Sequence, residues 1–305
     1  MHVSVLGAGT MGHGIAQVTA MTGHEVVVRD VEATYVEDGL EAIESNLEGG
    51  IERGKISRDT AEATLERIEG TTDLAEAVAG ADLVIEAVPE DLNLKKETMR
   101  TVEALVDEET ILATNTSSLS VTEIASAVDR ADRVVGLHFF NPVHIMALVE
   151  IVNAEKTAQS TLEFANEFVE GIEKTPIEVT DSPGFASSRL GVALGIEAMR
   201  MVEEGVADPR DIDAAMELGY NHPMGPIELG DVVGLDVRLD ILEYLREELG
   251  ERFRPPQILK RKVRAGNLGK KTGKGFYVWE DGEVVGISDE RDSDATADST
   301  GVSDE

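Results

Sequence analysis

The feature that most limits the fold is a glycine pattern near the amino terminus. Gly7, Gly9 and Gly12 have the spacing G-x-G-x-x-G, directly after the apolar run Val3–Leu6 and before the amphipathic stretch Gly14–Thr22. In a strand, turn and helix of this kind, the first glycine permits a tight turn and the second lets the backbone approach a pyrophosphate. The third allows close packing of the helix. The sequence therefore predicts a dinucleotide-binding βαβ unit.

An acidic residue indicates which dinucleotide binds. Asp30 ends the second apolar run, about 20 residues beyond the glycines, where a carboxylate binds the ribose 2′-hydroxyl of NAD and repels the 2′-phosphate of NADP. Arg29 leaves NADP open, because a neighbouring guanidinium can pair with that phosphate. We predict NAD, with Thr10 and Met11 at the helix N-terminus also contacting it.

Short β-branched runs recur through the first part of the chain and are mostly separated by amphipathic stretches such as Lys95–Val106. The predicted strands are Val3–Leu6, Glu25–Arg29, Asp82–Val88, Thr110–Thr114, Val134–Phe140, Leu148–Val152 and Ile177–Thr180. This alternation predicts an α/β fold for residues 1–181, with a Rossmann-type, doubly wound and mainly parallel sheet. Residues 31–70 form one oversized connection, predicted as a helical hairpin of residues 34–54 and 58–67.

The pattern changes after residue 181, where apolar residues three or four apart predict helices without strands. The predicted helices are Ser187–Gly205, Pro209–Leu218, Gly225–Leu249 and Pro255–Ala265. Residues 182–282 are therefore predicted to form an all-helical domain. Residues 283–305 are mostly polar and acidic, which predicts a disordered tail.

The charge balance narrows the possible partners. The chain has 60 acidic and 27 basic residues, a net charge of −33, which repels nucleic acid and anionic membranes. Acidic residues spread along the whole chain are typical of a halophilic protein, because salt screens their repulsion; an ordinary acidic protein is the alternative. No basic leader precedes the first strand and no apolar run reaches membrane-spanning length, so we expect a cytoplasmic protein.

The residue types available also narrow the chemistry. There are no cysteines, which excludes disulfides and thiolate chemistry. The histidines and carboxylates lack a metal-ligand spacing such as H-x-x-x-H, so no metal site is predicted.

His138 is the histidine whose position best suits acid–base chemistry. It lies at the carboxyl end of the apolar run Val134–Phe140, and ligand crevices of open α/β sheets lie outside the carboxyl ends of strands. Glu150 interrupts another apolar run, where a buried carboxylate requires a partner. A His138–Glu150 pair would orient the imidazole and stabilise its cationic form. A core histidine and a solvated edge-strand carboxylate are the alternatives, and Ser117 nearby equally suits a polar turn.

Five motifs stand in the order found in the 3-hydroxyacyl-CoA dehydrogenase family, and the chain most resembles its short, single-function 3-hydroxybutyryl-CoA dehydrogenases. The motifs are Asn115–Ser120, Gly136–Pro142, Asp181–Phe185, Asn221–Pro226 and Gly273–Tyr277. The resemblance covers about residues 1–280. It implies NAD-dependent oxidation of an (S)-3-hydroxyacyl-CoA thioester to the 3-oxoacyl form, the reverse reduction, and a homodimer formed mainly through the helical domain.

The resemblance also implies roles for single residues. His138 would be the base in oxidation and the acid in reduction, Glu150 its partner, and Ser117 a donor to the substrate oxygen close to the nicotinamide. The implied cofactor contacts are Glu90, Lys95, Ser117, Asn141 and Lys271. By themselves, Glu90 and Lys95 indicate a charge at a helix N-terminus and a surface lysine. Asn46 and Arg53 fall near family positions that contact coenzyme A, although an arginine facing water is the alternative.

One position departs from the family pattern. The family usually has asparagine directly before the arginine of its P-G-F-x-x-N-R segment, where this chain has Ser188. Serine still donates a hydrogen bond but is shorter, and we predict that activity is retained. The alternatives are an NADPH-preferring enzyme that works in the reducing direction and a catalytically idle NAD-binding module.

Overall fold

The computed structural model describes residues 1–288, which form two compact units with separate hydrophobic cores. The first unit is Met1–Phe185 and the second begins at Ala186. The sequence had suggested a boundary after residue 181, at the end of the last predicted strand.

The first unit is built on one eight-stranded sheet. Its strands are β1 His2–Leu6, β2 Glu25–Arg29, β3 Ile68–Thr71, β4 Leu83–Glu86, β5 Ile111–Thr114, β6 Val134–Phe139, β7 Leu148–Asn153 and β8 Thr175–Thr180. They lie in the order β3-β2-β1-β4-β5-β6-β7-β8. All neighbours pair in parallel except β6 and β7, which are antiparallel. The first six strands have the order of a doubly wound dinucleotide fold, so the predicted fold class is confirmed.

Helices cover both faces of this sheet. They are α1 Thr10–Met21, α2 Ala33–Glu52, α3 Arg58–Leu65, α4 Leu74–Val78, α5 Leu92–Glu103, α6 Val121–Ala125 and α7 Gln159–Gly171. Successive residues of β4 enter different apolar clusters: Leu83 and Ile85 pack with α1 and α7, whereas Val84 packs with α5 and α6. The period of two therefore buries both faces of the strand, as a covered parallel sheet requires. Helices α2 and α3 form the predicted hairpin.

Strand β3 was missing from the predicted set. Its sequence Ile68-Glu69-Gly70-Thr71 contains a single large apolar residue, and no residue of the strand is buried. It lies at the edge of the sheet and is held by backbone pairing with β2. Backbone pairing leaves little trace in hydrophobic periodicity, so the pattern did not indicate a strand.

The second unit is helical, with one β-hairpin. Its elements are α8 Ser187–Glu204, α9 Pro209–Tyr220, α10 Pro226–Val233, α11 Leu235–Leu249, α12 Gln257–Arg264 and the antiparallel strands β9 Tyr277–Glu280 and β10 Glu283–Ile287.

Three expectations about the second unit were wrong. The unit is not all-helical, and the tail assignment began too early because residues 283–287 form β10. The single helix expected over Gly225–Leu249 is two helices that meet at Gly234, whose φ of +106° no right-handed helix contains. Residues 289–305, the rest of the predicted tail, lie outside the described residues.

Two buried aspartates explain motif residues of this unit. Asp231 is fully buried and accepts hydrogen bonds from the backbone N–H groups of Phe276 and Tyr277, each at 2.9 Å, and from Trp279 Nε1 at 3.0 Å. A Cβ at Gly275 would lie 2.2 Å from Asp231 Oδ1. The Gly273–Tyr277 motif therefore closes around a buried carboxylate.

Asp213 is the buried carboxylate against which the motif at Asn221–Pro226 packs. It accepts from Ile227 N at 2.7 Å, Glu228 N at 2.9 Å and the Tyr277 hydroxyl at 2.7 Å. A Cβ at Gly225 would lie 2.1 Å from Asp213 Cβ. Burial raises the pKa of Asp213 and Asp231 despite these donors. Both motifs thus have a structural role within this unit.

Candidate active site

The turn after β1 is shaped so that its glycines are required. Gly7 has φ +106°, and a Cβ there would lie 2.6 Å from the carbonyl oxygen of Ala87. A Cβ on Gly12 would lie 1.6 Å from the carbonyl oxygen of Gly7, so α1 starts directly against the turn. A Cβ on Gly9 would meet no atom within 4 Å. Gly9 therefore borders open space that a side chain would fill, which fits a cradle for a pyrophosphate.

The N-terminus of α1 faces the same cradle. Gly9 is its N-cap, no side chain among the described residues caps the helix, and its first turn contains no acidic residue. Thr10 is exposed and Met11 is half-buried. N–H groups at a helix start, together with the positive end of the helix dipole, favour an anionic ligand.

Asp30 lies beside this cradle, at the carboxyl end of β2. Its Oδ2 accepts a hydrogen bond from Ala8 N at 2.8 Å and its Oδ1 from Val31 N at 2.7 Å, so the carboxylate is fixed against the glycine turn. Arg29 points its Nε to the carbonyl oxygen of Thr72 at 3.2 Å. The arginine thus has an acceptor within the protein, and the carboxylate lies against the glycine turn, so its contact with the ribose of NAD remains a prediction.

His138 and Glu150 come together through the antiparallel pairing of β6 and β7. The two residues are directly opposite in the register, and His138 Nδ1 lies 2.7 Å from Glu150 Oε2. His138 is 6% exposed and Glu150 is fully buried. With Glu150 ionised, its oxygens only accept, so Nδ1 carries the proton and Nε2 is left as the basic nitrogen of the ring.

Aromatic rings surround this imidazole. The centroid of the His138 ring lies 4.4 Å from that of Phe140 and 5.8 Å from that of Phe185. Apolar walls lower the local dielectric constant, which strengthens the interaction between the imidazole and the carboxylate. The arrangement suits a histidine that gains and loses a proton next to a fixed negative charge.

The loop after β5 is tied both to β6 and to Glu90. Asn115 Oδ1 accepts from Phe139 N at 3.0 Å, one residue beyond His138. Glu90 Oε1 accepts from Thr116 Oγ1 at 2.6 Å, from Ser117 N at 3.0 Å and from Ser117 Oγ at 3.3 Å. Glu90 therefore holds the backbone of the loop that carries Ser117 at the carboxyl end of the sheet.

Lys95 lies beneath this loop and is fully buried, so its interpretation as a surface lysine was wrong. Its Nζ donates to Glu86 Oε1 at 2.8 Å, to Asn115 O at 3.1 Å and to Val88 O at 3.3 Å, and lies 3.5 Å from Glu90 Oε2. These acceptors use all three donors of the ammonium. Lys95 thus joins the ends of β4 and β5 to the start of α5.

Glu86 completes the network from the end of β4. It is fully buried, and its Oε2 accepts from Thr114 Oγ1 at 2.6 Å. Burial raises the pKa of Glu86, while Lys95 and the neighbouring donors oppose that rise. Glu86 was absent from the predicted site, although it ends the apolar run Leu83-Val84-Ile85 much as Glu150 interrupts its own. That signal could have identified it.

The structure assigns other contacts to the remaining predicted residues. Asn46 Nδ2 donates to Gln17 Oε1 at 3.2 Å, which ties the hairpin to α1, and Arg53 is exposed at the end of α2. Asn141 is exposed two residues after the end of β6. In the second unit, Ser188 lies in the first turn of α8 and Lys271 Nζ lies 2.6 Å from Asp236. Their contacts with ligands remain predictions, as do those of Glu90 and Lys95.

Comparisons with known proteins agree with this geometry. The family model described as "3-hydroxyacyl-CoA dehydrogenase, NAD binding domain" matches residues 2–182, and the one for the C-terminal domain of the same family matches residues 184–279. The 3-hydroxybutyryl-CoA dehydrogenase of Clostridioides difficile is 42% identical over 278 residues, which cover 91% of this chain and 99% of that protein.

Two further relatives extend the comparison. The mitochondrial hydroxyacyl-coenzyme A dehydrogenase of Sus scrofa is 43% identical over 286 residues, covering 92% of this chain and 91% of that protein. The crystal structure of (S)-3-hydroxybutyryl-CoA dehydrogenase from Ralstonia eutropha matches with a TM-score of 0.88 at 40% identity, covering 92% of this chain and 99% of that one. The chain therefore belongs to the 3-hydroxyacyl-CoA dehydrogenase family.

Proposed function

We propose that the chain is an NAD-dependent dehydrogenase that interconverts (S)-3-hydroxybutyryl-CoA and acetoacetyl-CoA. The observation that carries the proposal is the His138–Glu150 contact at 2.7 Å, in the unit that also contains the NAD cradle. Relatives named for this reaction, similar over nine-tenths of the chain, support the choice of substrate.

The chain's own residues suit each part of the reaction. Gly7, Gly9, Gly12 and Asp30 would hold NAD, which when bound accepts a hydride from C3 of the substrate. His138 Nε2 takes the proton of the 3-hydroxyl group during oxidation and returns it to the carbonyl oxygen during reduction. Glu150 keeps the proton on Nδ1 and stabilises the imidazolium. Ser117 donates a hydrogen bond to the oxygen on C3.

The hydrogen bonds to Glu90 hold the backbone of Ser117 and leave its hydroxyl free to reach the substrate oxygen. Its hydroxyl lies 3.3 Å from Glu90 Oε1, which is long for a bond between an O–H group and a carboxylate. The shorter 3.0 Å bond from Ser117 N holds the backbone. The hydroxyl can therefore rotate toward a substrate oxygen without disturbing the loop.

Absorbance of the reduced nicotinamide tests the proposed function directly. Acetoacetyl-CoA should cause the purified chain to oxidise NADH, and NADPH should react more slowly because Asp30 repels the 2′-phosphate. Faster turnover with NADPH would instead favour pairing of Arg29 with that phosphate. Tight NADH binding without turnover of acetoacetyl-CoA would contradict the dehydrogenase and favour an idle NAD-binding module.

We also propose that the protein is a halophilic, cytoplasmic homodimer. The second unit exposes Leu218 by 87%, Tyr220 by 75% and Leu190 by 71%, which suits an apolar interface between two copies. No helix within residues 1–288 is long and apolar enough to span a membrane. Sedimentation in molar and in dilute potassium chloride measures the oligomeric state and its dependence on salt. We expect a dimer in molar salt and loss of compactness in dilute salt; a compact monomer in both would contradict the proposal.

A further inference from the structure

The motif Asp181–Phe185 ends the first unit, and its start is fixed both to the sheet and to a helix. Asp181 N donates to Asn153 O at 3.0 Å, at the end of β7. Asp181 Oδ2 accepts from Ser120 Oγ at 2.8 Å and from Thr122 N at 2.7 Å, at the start of α6. The chain therefore leaves β8 from a fixed point.

Proline and glycine determine the turn that follows. Phe185 N donates to Ser182 O at 2.8 Å, and Gly184 has φ +74°. A type II turn favours proline in its second position and requires a positive φ, usually at glycine, in its third. Pro183 and Gly184 occupy these two positions. Local geometry thus explains the proline and the glycine of the motif, but not its phenylalanine.

The backbone of Phe185 is also left-handed, with φ +50°. This conformation is unfavourable for a residue with a bulky side chain. The other non-glycine residues with positive φ in the described part of the chain are polar and exposed: Glu173, Asn221 and Asp281. Phe185, by contrast, is 5% exposed. A strained backbone persists where the surrounding structure holds it, and such residues often lie at functional sites.

The strained backbone places the Phe185 ring beside the proposed acid–base pair. The side chain packs in the apolar cluster that contains Val121 of α6 and Val152 of β7. Its ring centroid lies 5.8 Å from that of His138, at an interplanar angle of 54°. The contact with Glu150 fixes His138 Nδ1 without by itself fixing the tilt of the imidazole ring. A neighbouring ring restricts that tilt, because it occupies space into which the imidazole would turn.

We propose that Phe185 is a positioning residue for the reaction, held in a left-handed conformation so that its ring shields the His138 imidazole from water and keeps Nε2 in one direction. This inference rests on the proposed function, because it takes His138 as the group that transfers the proton. Phe185 exchanges no proton and acts through His138. Misplacement of a reacting group by about 1 Å costs a factor of about 100 in rate, so a ring that prevents it has a measurable effect.

Substitution of the ring tests its effect on turnover. Phe185→Ala is expected to lower kcat for acetoacetyl-CoA reduction by a factor of about 10–100, with NADH binding and KM for acetoacetyl-CoA close to wild type. Phe185→Leu should recover part of the lost kcat, because leucine refills much of the apolar volume. Wild-type kcat in Phe185→Ala would overturn the inference.

Phe168→Ala is the matched control for loss of a buried ring. Phe168 lies in α7, is 2% exposed, and packs in the apolar cluster that contains Leu137 of β6 and Ile151 of β7. It therefore supports the same two strands that carry His138 and Glu150, without a ring contact to His138. This variant should lose stability and keep kcat close to wild type. A loss of kcat equal to that of Phe185→Ala would show that loosening of the sheet is sufficient.

Modification of imidazoles by diethyl pyrocarbonate, located by mass spectrometry, measures the shielding without turnover. His138 is 6% exposed, so its modification should be slow in the wild type and faster in Phe185→Ala. Phe168→Ala should instead speed the modification of His24, whose ring centroid lies 6.2 Å from that of Phe168. Faster modification of His138 in both variants, or in neither, would overturn the inference.

Phe185→Gly separates the strained backbone from the ring. Glycine adopts a φ of +50° without a steric penalty, so this variant should unfold at a higher denaturant concentration than Phe185→Ala, while its kcat stays equally low. Equal unfolding midpoints would contradict the strained conformation. Failure of the proposed function would instead appear as absent acetoacetyl-CoA reduction by the wild type, whereas the diethyl pyrocarbonate rates would still report the contact between Phe185 and His138.

Discussion

Replacing His138 with asparagine is expected to lower kcat for acetoacetyl-CoA reduction by a factor of about 10²–10⁴, the usual contribution of a positioned acid or base. The amide of asparagine can still donate to Glu150 Oε2, which lies 2.7 Å from the imidazole in the native protein. The substitution therefore removes proton transfer and retains a partner for the buried carboxylate. Stopped-flow or steady-state absorbance of NADH measures the loss.

NADH binding and thermal unfolding provide the controls for this variant. NADH binding should stay close to wild type, because the cradle at Gly9 is unchanged, and a cooperative thermal transition should show that the variant is folded although asparagine loses packing against Phe140 and Phe185. Glu150→Gln provides a companion measurement: its amide can donate to the imidazole and so favours the wrong tautomer, as for the acid member of a hydrolytic triad. Retention of wild-type kcat by His138→Asn would show that another group moves the proton.

Replacing Lys95 with methionine is expected to destabilise the first unit by about 3–5 kcal/mol, the usual cost of removing one partner of a buried ion pair. Lys95 and Glu86 are both fully buried, and Nζ is the donor that neutralises the Glu86 carboxylate at 2.8 Å. Methionine nearly fills the volume of lysine but offers no donor. Denaturant unfolding followed by circular dichroism measures the change.

The pH dependence of this variant has a defined sign. Burial already raises the pKa of Glu86, and loss of Lys95 raises it further. The folded variant therefore binds a proton more tightly than the unfolded chain does. The part of its destabilisation that comes from the Glu86 charge is absent below the ordinary pKa of glutamate and grows as the pH rises toward the raised pKa of the folded state.

A double substitution separates the contribution of the buried charges to stability from the contribution of side-chain packing. Lys95→Met combined with Glu86→Leu removes both charges and should recover much of the lost stability, because apolar replacements of buried ion pairs are often neutral. Ser117 provides a second readout, since Lys95 also fixes Asn115 and approaches Glu90. A Lys95→Met variant as stable as the wild type at neutral pH would contradict the assigned role of this pair.

The parts of the fold that depend on local chemistry could be predicted from the sequence. The glycine turn, Asp30 and most strands of the sheet follow from steric rules and from periodicity. Strand β3 could not be predicted in this way, because an edge strand with exposed side chains is held by its backbone. The hairpin of β9 and β10 was absent from the predicted elements, although Asp281-Gly282 between two short β-prone runs is a hairpin signal that could have identified it.

The candidate site shows the same division. Glu150 required a partner because it interrupts an apolar run, and His138 was the available one. The sequence could not supply the antiparallel register that places the two opposite each other, since periodicity does not encode the direction of a strand. Lys95 was misinterpreted because it lies on a helix with polar neighbours, and its burial depends on Glu86, Val88 and Asn115, which lie outside that helix.

The antiparallel pairing of β6 and β7 also affects which strand register is stable during folding. Side chains of a strand alternate between the two faces, so a slip of β7 by one residue would turn Glu150 away from His138 to the opposite face. The carboxylate would then be buried in an apolar layer without the imidazole, which is among the most costly errors a core can contain. The contact proposed for catalysis thus also favours the correct register of β7 over a register shifted by one residue. Compact molecules with a misaligned strand are therefore destabilised by the buried, unpaired charge of Glu150.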